Sequence, residues 1–277
     1  MNLQAIEAAL DKNVTIISMS WTIPMTEHDR EANTRREFPF LGSPDSTQNC
    51  WLFHALTVIR AVHAALEKAV NRGVLMFCSA PDEGKFFKFD YPSGPWREKF
   101  LRIGAADSDG TVFRWTAEDG ITYIVPGVDV TRDQVIAGSF NAHLNPGITN
   151  RMVGVRETGS DVATALAAGL AAMLIYCVKA SVLIVMTANT SNNPLLARLP
   201  DTAAKDIAHP AEMKRAFACL GKVTPNNFIQ VWEKLDRMTE QLEALQCPGA
   251  APETKLACTK AFLDFGQRLW SAAKEEH

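Results

Sequence analysis

The chain alternates short apolar runs with longer stretches of helical periodicity, the pattern of an α/β protein. Apolar runs over residues 14–20, 74–80, 100–106 and 121–125 predict four buried strands. Apolar residues at helical spacing predict helices over 2–11, 52–70 and 162–180, and three more near 211–220, 226–245 and 253–274. The strand, helix and strand over residues 14–80 form a βαβ unit with a right-handed crossover. We therefore expect a mostly parallel sheet with flanking helices.

The segments between these elements divide the chain into two parts. Residues 24–49 are a charged loop, residues 85–99 an aromatic loop, and residues 127–157 are expected to be irregular. After residue 188 the strands cease and amphipathic helices follow. We expect one unit over 1–188 that holds the sheet and the central helix, and a helical C-terminal extension over 189–277.

Composition excludes several classes of function. The 277 residues are 47% hydrophobic and 21% charged, as in a soluble globular protein, and the formal net charge is -3. With that balance of charges, the sequence shows no cluster of basic residues typical of nucleic-acid binding and no polybasic stretch typical of membrane binding. The apolar run 162–178 is rich in Ala and Gly, which favours a buried core helix over a membrane span. No signal peptide opens the chain, so we expect a cytoplasmic protein.

The six cysteines give no metal pattern. None form a C-x-x-C pair, and we expect no metal and no cofactor. Cys78 and Cys177 lie inside apolar runs, where reduced thiols serve as small core residues. Cys247 and Cys258 flank a turn, and a disulfide between them stays open.

Four segments, in this order, carry a resemblance. They are VTIISMSW from residue 14, RGVLMFCSAPDEG from residue 72, IVPGVDV from residue 124 and GSDVATALAAG from residue 159. Together they resemble the C-terminal half of the catalytic domain of the subtilisin-like serine peptidase family, over about residues 3–180. The residues of these segments most resemble those of intracellular fungal members of the family. The resemblance implies that 1–188 is a partial subtilisin-like peptidase domain.

The resemblance also implies a substrate cleft. Its walls would come from the end of the first strand, the end of the second strand and the turn before the central helix. These residues are Ser18, Ser20, Trp21, Ser79, Ala80, Pro81, Gly159 and Ser160. Asp82 stands at the position of the oxyanion-hole asparagine, and Asp161 stands at the position of the nucleophilic serine.

The departures from the family pattern predict that no peptide bond is cut. The family needs an aspartate, a histidine and a serine, and a carboxylate at Asp161 has no proton for a histidine to remove. Loss of the oxyanion donor at Asp82 alone costs roughly 100- to 1000-fold. Ser160 is one residue early, and on a tight turn we expect its side chain to point elsewhere. The family's histidine and aspartate precede the first strand, where only 13 residues stand.

Three hypotheses follow. The first is a degenerate peptidase domain that serves as a binding or scaffold module, or is a truncated product. Its partner would be another protein, the missing N-terminal half-domain or a second copy of the chain, because Val14, Ile16 and Ile17 would otherwise lie on a bare sheet edge. The alternative is a serine endopeptidase completed by a missing N-terminal segment or a partner chain.

The third hypothesis is a carboxylate site in which Asp82 and Asp161 lie close together and hold a divalent cation or a basic side chain. A simpler interpretation competes with it. Asp161 would be the N-cap of the central helix, and Asp82 would be solvated in its own turn.

Overall fold

A four-stranded parallel sheet forms the centre of the molecule in a computed structural model. The structure describes residues 2–24, 60–84, 90–92, 94–117, 120–136, 151–188, 199–246 and 252–275. The sheet contains β1 (Ile16–Met19), β2 (Leu75–Ser79), β3 (Phe100–Ala106) and β4 (Tyr123–Pro126), side by side in that order. The pairs Ile16–Leu75, Met76–Phe100 and Ile103–Tyr123 fix the register. The predicted α/β class, with four strands in these places, is confirmed.

Helices cover both faces of this sheet. Helix α1 (Asn2–Asp11) and a second helix, α2, whose described part is 60–71, pack on one face. The other face carries α3 (Ser160–Ala188) and α4 (Pro210–Leu220). Helix α6 (Pro252–Lys274) packs on these two helices, and α5 (Trp232–Gln246) packs on α6. Every residue of β2 and β3 is buried, which explains why these strands are apolar in the sequence apart from Ser79 and Arg102.

Alternation along β2 shows the two layers directly. Leu75 and Phe77 join the core beneath α3 and α4, whereas Met76 and Cys78 join the core beneath α1 and α2. Such alternation follows from the period of two along a strand. The larger core also receives side chains from α6, so helices of the expected C-terminal extension pack in the same apolar cluster as the sheet.

The central helix α3 rests on the sheet along a stripe of small and aliphatic residues. The stripe repeats every three or four positions and consists of Ala163, Ala167, Ala171, Leu174, Val178 and Val182. By length and composition, Ser160–Met186 is also apolar enough to cross a membrane, with 39% of its most apolar window buried. The opposite side of α3 exposes five large apolar side chains, which are Leu166, Met173, Tyr176, Leu183 and Met186.

Two sequence-based expectations of irregular or helical structure are wrong. Residues 127–157 are not irregular throughout, because β5 (Val130–Ile136) and β6 (Arg151–Glu157) pair in antiparallel fashion. Because β5 and β6 contain many polar residues, the sequence pattern did not indicate strands there. The two strands pair with each other through their backbones, outside the main sheet. The helix expected over 226–245 begins only at Trp232, because Lys222–Val223 and Ile229–Gln230 pair around a turn with Asn227 at a φ of 64°.

Strand β1 lies at the edge of the sheet, but its apolar residues are covered. Among the described residues β1 pairs only with β2. The expectation that Ile17 would be exposed there is wrong, because Ile6 and Leu10 of α1 join it in a buried cluster. Most of the charged loop 24–49, the first part of the helix 52–70, residues 85–89 of the aromatic loop and Cys247 lie outside the described residues. The Cys247–Cys258 disulfide therefore stays a prediction.

Candidate functional site

The residues singled out from the sequence converge where β1 and β2 end and α3 begins. Asp82 follows β2 by three residues, and Ser20 follows the end of β1 directly. The Ser20 hydroxyl lies 3.4 Å from the Asp161 backbone carbonyl oxygen, to which it donates. The carboxyl edge of the sheet therefore adjoins the amino end of the central helix, where ligands of α/β proteins generally bind.

The Asp82 carboxylate anchors this helix terminus. Its Oδ2 accepts a hydrogen bond from the Ser160 backbone N–H at 2.6 Å, and its Oδ1 accepts one from the Ser160 hydroxyl at 2.6 Å. The first amides of a helix have no partner within the helix, and a carboxylate there also suits the helix dipole. Gly159, the residue before the helix, has no side chain, so the capping group comes from Asp82.

Thr116 completes the group and was not found by sequence reasoning. Its hydroxyl donates to Asp82 Oδ1 at 3.2 Å and also lies 3.2 Å from the Ser160 hydroxyl. Two backbone hydrogen bonds, Ala117 N–H to the Pro81 carbonyl at 2.9 Å and Gly84 N–H to the Trp115 carbonyl at 2.7 Å, hold the two turns together. No sequence signal marks Thr116, since it lies in a polar turn far from both partners along the chain.

Ser160 is a structural residue in this arrangement. It is fully buried, its hydroxyl is directed at Asp82, and its carbonyl accepts a hydrogen bond from the Thr164 hydroxyl at 2.6 Å. A nucleophile must reach both a base and a substrate carbon, and a buried hydroxyl bonded to a carboxylate reaches no substrate.

Asp161 is the next residue in the chain and, unlike Ser160, it is not buried. It is exposed in the first turn of α3, and the carboxylate that caps the helix is that of Asp82. The interpretation of Asp161 as the N-cap and of Asp82 as a solvated turn residue is therefore wrong, because the backbone N–H of Ser160 donates to Asp82.

Gly159 separates the two carboxylates. Its φ is 152°, a region that residues with a side chain rarely adopt. A Cβ atom there would overlap Asp161 Oδ1 and would lie 3.2 Å from Asp82 Oδ2, so both carboxylates flank the same α-carbon. Gly159 also donates its N–H to the Gly127 carbonyl at 2.8 Å. The turn is thus fixed from both sides by backbone contacts.

The remaining cleft residues fall into two groups. Ser18 and Ser20 are exposed and Trp21 is half-buried, so these three form an accessible surface along the end of β1. Ser79, Ala80 and Pro81 are buried, as is Gly159. The β1 side of the expected cleft is therefore accessible to a ligand, whereas the side chains at the end of β2 are buried.

Both histidines in the described residues lie at the opposite edge of the sheet. The His63 ring contacts the Trp96 ring in a tilted arrangement, with the centroids 4.4 Å apart, ahead of β3. Burial lowers the pKa of His63 despite the opposing charge of Glu67. His209 lies beside Gly73, which precedes β2. Asp82 and Ser160 lie beyond the other end of β2, so neither histidine is placed to act as a base at the α3 terminus.

The two-carboxylate cation site at Asp82 and Asp161 stays a prediction. Among the residues that the structure describes, there is no group of three or more His, Cys, Asp or Glu side chains that could hold an ion. Asp82 uses both oxygens in bonds to Ser160 and Thr116. Its charge is therefore already stabilised by hydrogen-bond donors without a cation.

Comparison with known proteins gives structural similarity at low identity. No protein-family model matches the chain, and neither does any curated protein. Among solved structures the chain is similar to the prenylagaramide maturation protease PagA, with 14% identity, a TM-score of 0.46, and coverage of 84% of this chain and 66% of that one.

The PatG macrocyclase domain is similar at 17% identity and a TM-score of 0.45, over 84% of this chain and 55% of that one. Sphericase is similar at 17% identity and a TM-score of 0.36, over 62% and 46%. These structural neighbours are subtilisin-like proteases, and the chain spans two thirds or less of the length of each of the three. The fold itself is assigned from the parallel sheet and the helices on its two faces.

Proposed function

We propose that this chain is a degenerate subtilisin-like domain, most like intracellular fungal members, that binds extended polypeptide in the cytoplasm and does not cleave it. In this proposal Asp161 takes the place of the nucleophile. One observation carries the proposal: the Asp82 carboxylate holds both the amide and the hydroxyl of buried Ser160. A negative charge fixed at this helix terminus opposes the developing oxyanion of acyl transfer, which requires donors in that place.

The accessible end of β1 supports the binding part of the proposal. Ser18 and Ser20 are exposed on a strand that, among the described residues, has one neighbour. An edge strand with free backbone groups can accept an added strand from an extended peptide. Asp161, exposed beside Ser20, would favour a basic side chain on that peptide.

The exposed side of α3 supports a protein partner. Tyr176 is 69% exposed and Leu183 is 54% exposed, on a helix that otherwise packs through alanine and aliphatic residues. Large contiguous apolar surface of this kind is unusual on a monomer. A second copy of the chain, another protein or an N-terminal half-domain would bury it.

Among the described residues, no contact favours the alternative of a serine endopeptidase completed by another chain. A partner could supply a histidine and an aspartate, but the nucleophile would still have to come from this chain. Ser160 is fully buried, and its hydroxyl already donates to Asp82. The alternative would require the α3 terminus to be rebuilt.

Two measurements test the proposal. Stoichiometric incubation with a fluorophosphonate should label no serine in the parent chain, and labelling that disappears in Ser160→Ala would refute the loss of catalysis. For binding, a pool of labelled extended decapeptides is titrated by fluorescence polarisation. Ser20→Trp should block binding, whereas Glu7→Trp, at an exposed position of α1, should leave it unchanged. Equal binding by both variants would place the peptide elsewhere.

A further inference from the structure

A separate cavity lies among the C-terminal helices, far from the α3 terminus. It has a volume of about 350 Å³ and is walled by α5 and α6, with Cys219 of α4 at one end. Gly266, next to the lining residue Phe265, packs against Ser181 of α3. At 1.5 Å per residue, Ser181 is roughly 30 Å along α3 from Ser160, so the cavity is independent of the candidate site.

The helices present one face each to this cavity. Lys234, Arg237 and Met238 lie one turn apart on α5, and the α6 residues recur at the spacing of a single helix face. Those α6 residues are Ala261, Asp264, Phe265, Arg268 and Leu269. The cavity is therefore a cleft between two regular helices, a usual place for a small-molecule site in helical structures.

The lining separates into an apolar floor and a cationic rim. Phe265 and Leu269 are buried and Met238 is half-buried, so they form the floor. The rim carries Lys234, Arg237 and Arg268, all exposed, against the single carboxylate of Asp264. This positive excess is local, because the chain as a whole has a formal net charge of -3.

Two of the rim cations are held by backbone carbonyl groups. The Lys234 amino group donates to the Cys219 carbonyl at the end of α4. The Arg268 Nε donates to the Asp264 carbonyl at 3.2 Å. Positioned donors over an apolar floor suit a molecule with one anionic end and one apolar end.

We propose that this cavity binds a small amphipathic anion, a carboxylate on an unbranched alkyl chain of medium length. The alkyl chain would lie on Phe265, Leu269 and Met238, where its burial is favourable in proportion to area. The carboxylate would accept hydrogen bonds from Lys234 and Arg268 at the rim.

Calorimetric titration of the full chain with decanoate, below its micelle concentration, tests the proposal. Decanoate should bind at one site and decanol about tenfold more weakly. The double variant Lys234→Gln, Arg268→Gln should remove that tenfold difference, because it removes the two cations that would bond the carboxylate. Ala261→Phe should fill the cavity and abolish binding of both ligands, whereas Ala211→Phe, exposed on α4 outside the cavity, should bind as the parent does.

The location is checked at Cys219, which is half-buried in the cavity wall. Saturating decanoate should slow alkylation of Cys219 at least fivefold, as followed by peptide mass spectrometry. Equal binding of decanol, equal protection by acetate, or full binding by Ala261→Phe would overturn the proposal. If Ala261→Phe does not fold, Met238→Trp fills the same floor and must also abolish binding.

Discussion

Replacement of Asp82 is the most informative perturbation of the candidate site. The carboxylate accepts three hydrogen bonds, two from Ser160 and one from Thr116. In Asp82→Ala the Ser160 and Thr116 hydroxyls can still bond to each other, because they are already 3.2 Å apart. The Ser160 amide, on a buried residue, is the group left without an acceptor.

The expected loss follows from those contacts. An unsatisfied buried donor costs about 1–3 kcal/mol, and loss of a charge at a helix amino end costs about 0.3–1 kcal/mol. Asp82→Ala should therefore lower the free energy of unfolding by about 1–4 kcal/mol. Asp82→Asn retains one acceptor oxygen for the amide, so we expect a loss of about 1 kcal/mol.

Urea unfolding measures these differences, with Asp161→Ala as the matched control. Asp161 is exposed in the same turn, so its removal should cost no more than about 1 kcal/mol, with an unchanged dependence on denaturant. The reasoning would be refuted if Asp82→Ala were as mild as Asp161→Ala, or if Asp161→Ala were the more damaging of the two.

Three further predictions concern residues around the site and the two faces of the fold. Burial lowers the pKa of His63, so the unfolded chain takes up this proton first as pH falls below about 6.5. The parent should lose more stability than His63→Gln between pH 7.5 and 5.5, and equal losses would contradict this. Gly159→Ala should cost about 1–3 kcal/mol in urea unfolding because its φ is 152°, and a variant as stable as the parent would show an unconstrained turn. The parent should associate in sedimentation velocity through the exposed face of α3, and Tyr176→Lys with Leu183→Lys should shift it to monomer, unless another surface mediates association.

The four sheet strands could be predicted because each one is mostly apolar, as expected for strands that are buried in a parallel sheet. The same criterion missed β5 and β6, whose polar residues pair outside the main sheet. It also ended the central helix near residue 180, whereas α3 continues to Ala188. The last part of α3 packs against α6, where Gly266 contacts Ser181. These residues are far apart in the sequence, so no local pattern predicts their contact.

The site could be located from the sequence, but its internal roles could not. Motif order placed Asp82 and Asp161 near one helix terminus. Which carboxylate caps the helix depends on contacts between residues 78 positions apart, and on Thr116, which no motif includes. The preference of aspartate for N-caps is a local rule, and here a carboxylate from another turn replaces the local residue.

The proposed absence of proteolysis is tested most directly by incubating the purified chain with a peptide library and sequencing the new termini by mass spectrometry. The parent, Ser160→Ala and Asp161→Ala should give the same termini as a sample without protein, because Ser160 is buried on Asp82 and Asp161 is no acyl-transfer nucleophile. New termini that appear with the parent and vanish in Ser160→Ala or Asp161→Ala would contradict the proposed function.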